Sequence, residues 1–166
     1  MLKHRNRLLS AAGAATAAGV IAAGGVTAAR AAGPGTMRAS TESFQIMQAT
    51  IPGTATVIAH GAFTANGAAS KTLDKIVFPH GTFTLRASPG TGPSQFDAKT
   101  CLGTEDKHGT YRIFGGTGAY KGINGHGRYH LNTLFVAARD AKGKCSRSKE
   151  PVGFQLVIRA SGPVHT

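Results

Sequence analysis

From Ser40 onward the chain repeats one pattern: short stretches rich in Thr, Val, Ile and Phe, each cut off by Gly, Pro, Asn or Asp. No helical period of any length interrupts it. The 23 glycines among 166 residues reinforce the reading, because glycine is depleted in helix interiors and frequent at turns and bulges. Such a chain can only build sheets. Strands are expected at residues 44–50, 54–66, 72–79, 81–87, 95–102, 109–115, 127–139 and 152–162. Ile51-Pro52-Gly53 and Phe78-Pro79-His80-Gly81 read as tight connections, and residues 88–93 as a longer loop. Strands joined in this way pair antiparallel as a meander, which must close on itself or pack on a second sheet to satisfy its edges.

The first thirty or so residues stand apart. Lys3, Arg5 and Arg7 precede an uncharged stretch running from Leu8 to Val26, and Ala29-Arg30-Ala31 offers a small-residue cleavage site. This reads as a Sec-type secretory signal peptide at residues 1–31, with an uncleaved membrane anchor as the alternative. A flexible segment at 32–42 and a single β domain at 43–166 would follow. Without Lys3, Arg5, Arg7 and Arg30 the domain holds 15 basic and 7 acidic residues, net +8. The excess favours anionic surfaces such as those of a cell envelope. No nucleic-acid motif accompanies it, so nucleic acid is not an expected partner.

Period-two alternation assigns faces. Phe154, Leu156, Ile158 and Ala160 are expected inward on the last strand, as are Tyr129, Leu131, Thr133, Phe135 and Ala137 on the one before. Phe83, Leu85, Val57 and Phe63 join them. Leu134, Val136 and Val157 are left outside, either as a subunit interface or as scattered surface apolarity.

The densest glycine segment is Gly115-Gly116-Thr117-Gly118-Ala119-Tyr120-Lys121-Gly122-Ile123-Asn124-Gly125-His126-Gly127. It reads as a strand end, a turn built on Gly115, Gly116 and Gly118, an aromatic plug, and a re-entry kinked at Gly122 and Gly125. No Lys-Ser/Thr pair follows it, and no helix, so it is not a phosphate-cradling loop.

This arrangement, followed by a long amphipathic strand, resembles the allene oxide cyclase and dirigent-like β-barrel proteins and their secreted bacterial relatives. The resemblance implies a closed eight-stranded antiparallel β-barrel, with a β-sandwich as the alternative, and a trimer by analogy with the plant members. Catalytic roles do not carry over. Glu42 stands just before the first expected strand, Asp74 lies in a strand of ambiguous phase, Asp97 sits near a loop, and none matches a family motif.

Cys101 and Cys145 are the only cysteines, and in an exported chain they read as one disulfide. His126 and His130 would lie on one strand face about 13 Å apart, too far for one metal. No metal or cofactor is expected. No Gly-x-Ser-x-Gly elbow is present, so no serine nucleophile is indicated. Arg139, Lys142, Lys144, Arg147 and Lys149 concentrate in one segment, either as an electrostatic patch or as a solvated loop.

The functional expectation is a secreted barrel that binds a small apolar or aromatic molecule in a lumen lined by Phe83, Tyr129, Phe135, Phe154 and Leu156, without catalysis. A cofactor-independent isomerase or cyclase, or a stereocontrol protein, is the first alternative. An envelope-associated polyanion-binding protein using the 139–149 segment is the second.

Overall fold

The computed structural model describes residues 39–146 and 148–166, so the expected signal peptide, most of the flexible segment and Arg147 lie outside the described residues. The chain is all-β. Its strands are β1 (Ser40–Gln48), β2 (Ala55–His60), β3 (Thr64–Ala69), β4 (Lys75–Phe78), β5 (Gly81–Ala87), β6 (Ser94–Asp97), β7 (Leu102–Phe114), β8 (Asn124–Val136) and β9 (Gly153–His165). They form one sheet in the order β5-β4-β3-β2-β1-β9-β8-β7-β6, and pairing of β5 with β7 closes it.

Nine strands make an eight-stranded antiparallel barrel because β5 and β6 share one side of β7. β5 pairs with the far end of β7, from Thr84↔Phe114 to Ala87↔Tyr111. β6 pairs with its near end, from Ser94↔Glu105 to Asp97↔Leu102. A bridge between Thr91 and His108 lies between them, so β5 and β6 act as one interrupted strand.

Two expected strands are corrected. The single strand read at 54–66 is the β2–β3 hairpin, turning at residues 61–63; apolar residues continue through Gly61, and the composition hides the turn. The strand read at 95–102 is β6 alone, because the chain turns at 98–101 to start β7, where Cys101 takes φ +62°. β1 also begins at Ser40, which brings residues 40–42 into the barrel.

The core sits at one end, here called the base. Phe44, Phe83 and Tyr111 are buried there with Phe78, Ile113, Tyr120 and Ile123. Phe44 meets Phe83 and Tyr111 edge-on, with centroids 5.9 and 6.3 Å away. Tyr120 lies 5.0 Å from Phe63, 5.6 Å from Phe78 and 5.7 Å from Phe83. Each such pair contributes about 0.5–1.5 kcal/mol beyond the area it buries.

The glycine-rich segment is the lid of that base. Phe114 ends β7, and a single 3-10 turn at Gly118–Tyr120 drops Tyr120 into the plug. The lid is stitched to the β4–β5 turn: Thr117 N–H donates to the Thr82 carbonyl at 2.8 Å, and Ala119 N–H to the His80 carbonyl at 2.8 Å. Gly118 takes φ +58°, and a Cβ there would overlap the His80 carbonyl, so only glycine fits.

Opposite the lid lies the mouth, beyond which β7, β8 and β9 project. The Cys101–Cys145 disulfide, Cα to Cα 5.4 Å, ties the start of β7 to the segment after β8. Aromatic rings cover glycines across neighbouring strands. Tyr111 faces Gly127, where a Cβ would come within 2.7 Å of the ring, and Tyr129 faces Gly109 at the same distance. Phe135 likewise covers Gly103 and stacks on Phe96 at 6.2 Å. Such glycines let rings lie flat on the strand beside them.

Candidate functional site: a capped apolar mouth and a sealed carboxylate

The inward face of β1 descends the barrel through Ile46, Phe44 and Glu42, one residue to each layer. Ile46 lies at the floor of a mouth cavity of about 400 Å³. Leu85, Leu131, Ile158 and Ala160 share that floor, and Tyr129 forms one wall. The Tyr129 hydroxyl donates to the Ser88 carbonyl at 2.9 Å, which fixes the ring against the loop after β5.

A polar rim caps this apolar floor. Thr72, Leu73, Asp74 and Arg86 border the cavity, and Leu73 holds φ +60° while packing against the core. Asp74 accepts hydrogen bonds from the Thr72 hydroxyl at 2.5 Å and the Ser70 hydroxyl at 2.7 Å. Those bonds, that of Thr72 foremost, hold its carboxyl below the usual carboxylate range. An apolar cleft with a few fixed polar groups at its edge is the usual form of a small-molecule site.

Below Phe44 the chemistry changes. Glu42, read from sequence as lying ahead of the first strand, is within β1, points inward and is 0% exposed. Its Oε2 accepts the Phe63 N–H at 2.9 Å. Its Oε1 has no hydrogen-bond partner, and neither has the buried Tyr111 hydroxyl. Burial raises the carboxyl above its ordinary value of 4.5, against the opposing pull of the Phe63 amide and its neighbours. Burial also pushes the Tyr111 hydroxyl up to about 12, with the Glu42 charge adding to it. Tyr120 is raised by the same two causes in the same order. The sequence did carry a signal for Glu42: it alternates with Phe44 and Ile46.

The five expected lining residues do not share one space. Tyr129 lies on the mouth cavity, whereas Phe83 is packed in the plug beneath it. Phe135 lines a second cavity of about 500 Å³ with Phe96, Glu105, Ala137, Ser146, Lys149 and Pro151. Phe154 is half-buried opposite Phe135, and Leu156 is buried between the two regions of β9. Ile46, Leu85, Leu131 and Ile158 form the mouth floor instead.

In the 139–149 segment the basic residues are partly engaged in holding the loop. Arg139 donates to the Gly143 carbonyl at 2.6 Å and the Lys99 carbonyl at 2.5 Å, and Lys149 donates to the Arg139 carbonyl at 3.2 Å. Lys142 and Lys144 give their backbone N–H groups to Asp140, both at 2.8 Å. Among the described residues, no three His, Cys, Asp or Glu side chains converge as a metal site requires. Leu134 is 43% exposed on the outer face, while Val136 and Val157 are half-buried there.

Comparisons with protein-family models, with curated proteins and with solved structures found no match.

Proposed function

We propose that this protein is an exported barrel that binds one small apolar or aromatic molecule at its mouth without transforming it. The observation that carries the reading is the asymmetry of the lumen: aromatic rings fill the base, while about 400 Å³ is left above an aliphatic floor at the mouth. That volume lies within the range of known small-molecule sites, roughly 300–1,000 Å³. Asp74 and Arg86 at the rim would meet the polar end of an amphiphilic ligand. The disulfide agrees with an oxidising compartment, as the expected signal peptide does. The resemblance to allene oxide cyclase and dirigent-like barrels points the same way, and with it a trimeric assembly.

A cofactor-free isomerase or cyclase is the second reading, and Glu42 is the observation in its favour. Its carboxyl nevertheless lies two layers below the cavity floor, beneath Phe44 and with no exposed surface, so binding without turnover is preferred.

Native mass spectrometry of protein collected from culture medium, followed by extraction and identification of any bound molecule, tests the proposal. Leu131→Trp, which fills the cavity, is expected to remove the bound mass, and Phe135→Glu to leave it. Loss in Phe135→Glu alone would move the ligand to the second cavity. A protein that carries nothing and takes up no apolar dye would refute the proposal.

A further inference from the structure

The outer surface of the barrel carries a stripe of four arginines, of which only Arg86 also borders the mouth. Arg86 on β5 stands directly opposite Arg112 on β7. Arg112 pairs with His126 on β8, and Arg128 lies two residues further toward the mouth, opposite Ser161 of β9. Arg159 lies another two residues toward the mouth on β9, opposite His130 on one side and Gln45 on the other. All four arginines are exposed. With strands about 4.8 Å apart and a rise of about 3.4 Å per residue, successive α-carbons along the diagonal are about 5, 8 and 8 Å apart. The stripe therefore runs for about 20 Å across four strands.

Three observations say what it fits. Like charges placed directly opposite on neighbouring strands, as Arg86 and Arg112 are, destabilise a sheet unless something neutralises them. No carboxylate does so: among the described residues the only ion pair is Asp106 with His130, at 2.6 Å. Asp74, Asp97 and Asp140 are engaged by hydroxyls and backbone N–H groups, and Glu42 is buried.

The residue type is selective as well. Of the five arginines among the described residues, four are on the stripe, and Arg139 is the exception. Of the lysines, only Lys75 borders it, exposed on β4 opposite Thr84 and one diagonal step beyond Arg86. Arginine's planar fork grips phosphate through two parallel hydrogen bonds, which lysine cannot do.

The stripe is also narrow, on a convex wall, which suits a linear chain better than a flat bilayer. Its one exposed aromatic, Phe114, lies under Arg86, whose guanidinium carbon is 5.4 Å from the ring centre. Nucleic-acid bases would find no stacking platform along the rest.

We infer that the Arg86–Arg112–Arg128–Arg159 diagonal holds a linear, non-nucleic phosphate polymer of the poly(polyol phosphate) kind, lying across the strands on the outside of the barrel. This goes beyond ligand binding at the mouth and moves the anionic contact away from the 139–149 segment.

Titration with a synthetic poly(glycerol phosphate) chain at several salt concentrations tests it. Contact with about four phosphates gives a slope near −3 in log affinity against log salt, taking about −0.7 per phosphate as for a single-stranded polyanion. Arg112→Gln/Arg128→Gln is expected to weaken binding at least tenfold and to bring the slope near −1.5. Lys142→Gln/Lys144→Gln should change affinity less than twofold. Arg159→Gln alone, with an unchanged melting curve, provides an independent check, and its binding should fall at least threefold. Equal losses in the stripe and loop variants would overturn the assignment. So would tighter binding of mixed-sequence single-stranded DNA, or binding only to phosphatidylglycerol vesicles. Occupancy of the mouth should be unaffected by the stripe variants, so the two sites fail or stand separately.

Discussion

The Glu42 carboxylate accepts the Phe63 amide at 2.9 Å from a position with no exposed surface. This contact joins the first strand to the turn between β2 and β3, where the Phe63 ring packs against Tyr120 of the lid with centroids 5.0 Å apart. It is also the one place in the described core where an ionisable acid is fully enclosed.

Stability is therefore expected to depend on pH through Glu42. Its native pKa is raised above the ordinary 4.5 by burial, so the folded state holds the proton more tightly than the unfolded chain does. The stabilisation is complete below about 4.5 and is lost as pH rises through the raised native value. Glu42→Gln should match the wild type near pH 4 and melt at a higher temperature at pH 8. Glu42→Ala, which leaves the Phe63 N–H buried without an acceptor, should cost about 1–3 kcal/mol even at pH 4. Denaturation curves of the wild type and both variants at the two pH values check this, and a difference between wild type and Glu42→Gln that is the same at pH 4 and 8 would contradict the raised pKa.

Tyr111 and Tyr129 place the same side chain in different situations. The Tyr111 hydroxyl is buried without a partner, so Tyr111→Phe should leave stability unchanged or raise it slightly. Tyr129 donates to the Ser88 carbonyl, and Tyr129→Phe should cost about 1 kcal/mol. Urea melts of the two variants separate these outcomes. In an alkaline absorbance titration, Tyr111 should ionise near pH 12.

Much of the barrel was legible in the sequence because alternation survives wherever one face is buried. The inward assignments of Phe83, Leu85, Leu156 and Ala160 hold; Phe83, Leu85 and Ala160 are each flanked by polar neighbours that must face water, and Leu156 follows from its place in the alternation of Phe154, Ile158 and Ala160. The expected count of eight strands agrees with the barrel for a mixed reason. The hairpin at residues 61–63 was hidden by apolar neighbours, while β6 was counted as a strand of its own although it continues the line of β5. The two differences cancel. The site was harder to read, because which of two inward residues lines a cavity and which fills the plug depends on its layer. Phe83 and Leu85 differ by one layer and have opposite roles, a distinction set by the tilt and stagger of strands far apart in sequence.

The disulfide spans 44 residues between the start of β7 and the segment after β8. Closing a loop of that length in the unfolded chain corresponds to about 4 kcal/mol in the chain-entropy model. Cys101→Ala/Cys145→Ala should lower stability by up to that amount, measured by denaturant titration. The barrel itself should persist, because its closing β5–β7 pairing and its plug lie at the other end. Circular dichroism that reported loss of the whole sheet under mild conditions would show instead that the projecting ends of β7 and β8 nucleate the fold.

The lid offers the sharpest test of how the glycine-rich segment works. A Cβ on Gly116 would overlap the Tyr120 carbonyl and crowd Ile123, whereas a Cβ on Gly122 meets nothing within 4 Å. Gly116→Ala must push Tyr120 out of its contacts with Phe63, Phe78 and Phe83, and overpacking of this kind costs about 1–3 kcal/mol. Gly122→Ala meets only its own backbone strain at φ +88°, a cost of about 1 kcal/mol. The two variants should thus differ in stability while sharing an intact mouth, because Tyr120 seals the base and makes no wall of the mouth cavity. If Gly116→Ala lost stability and mouth binding together, the plug and the mouth would be one coupled unit. The layer of Phe44 and Phe83 would then fail as a barrier between them.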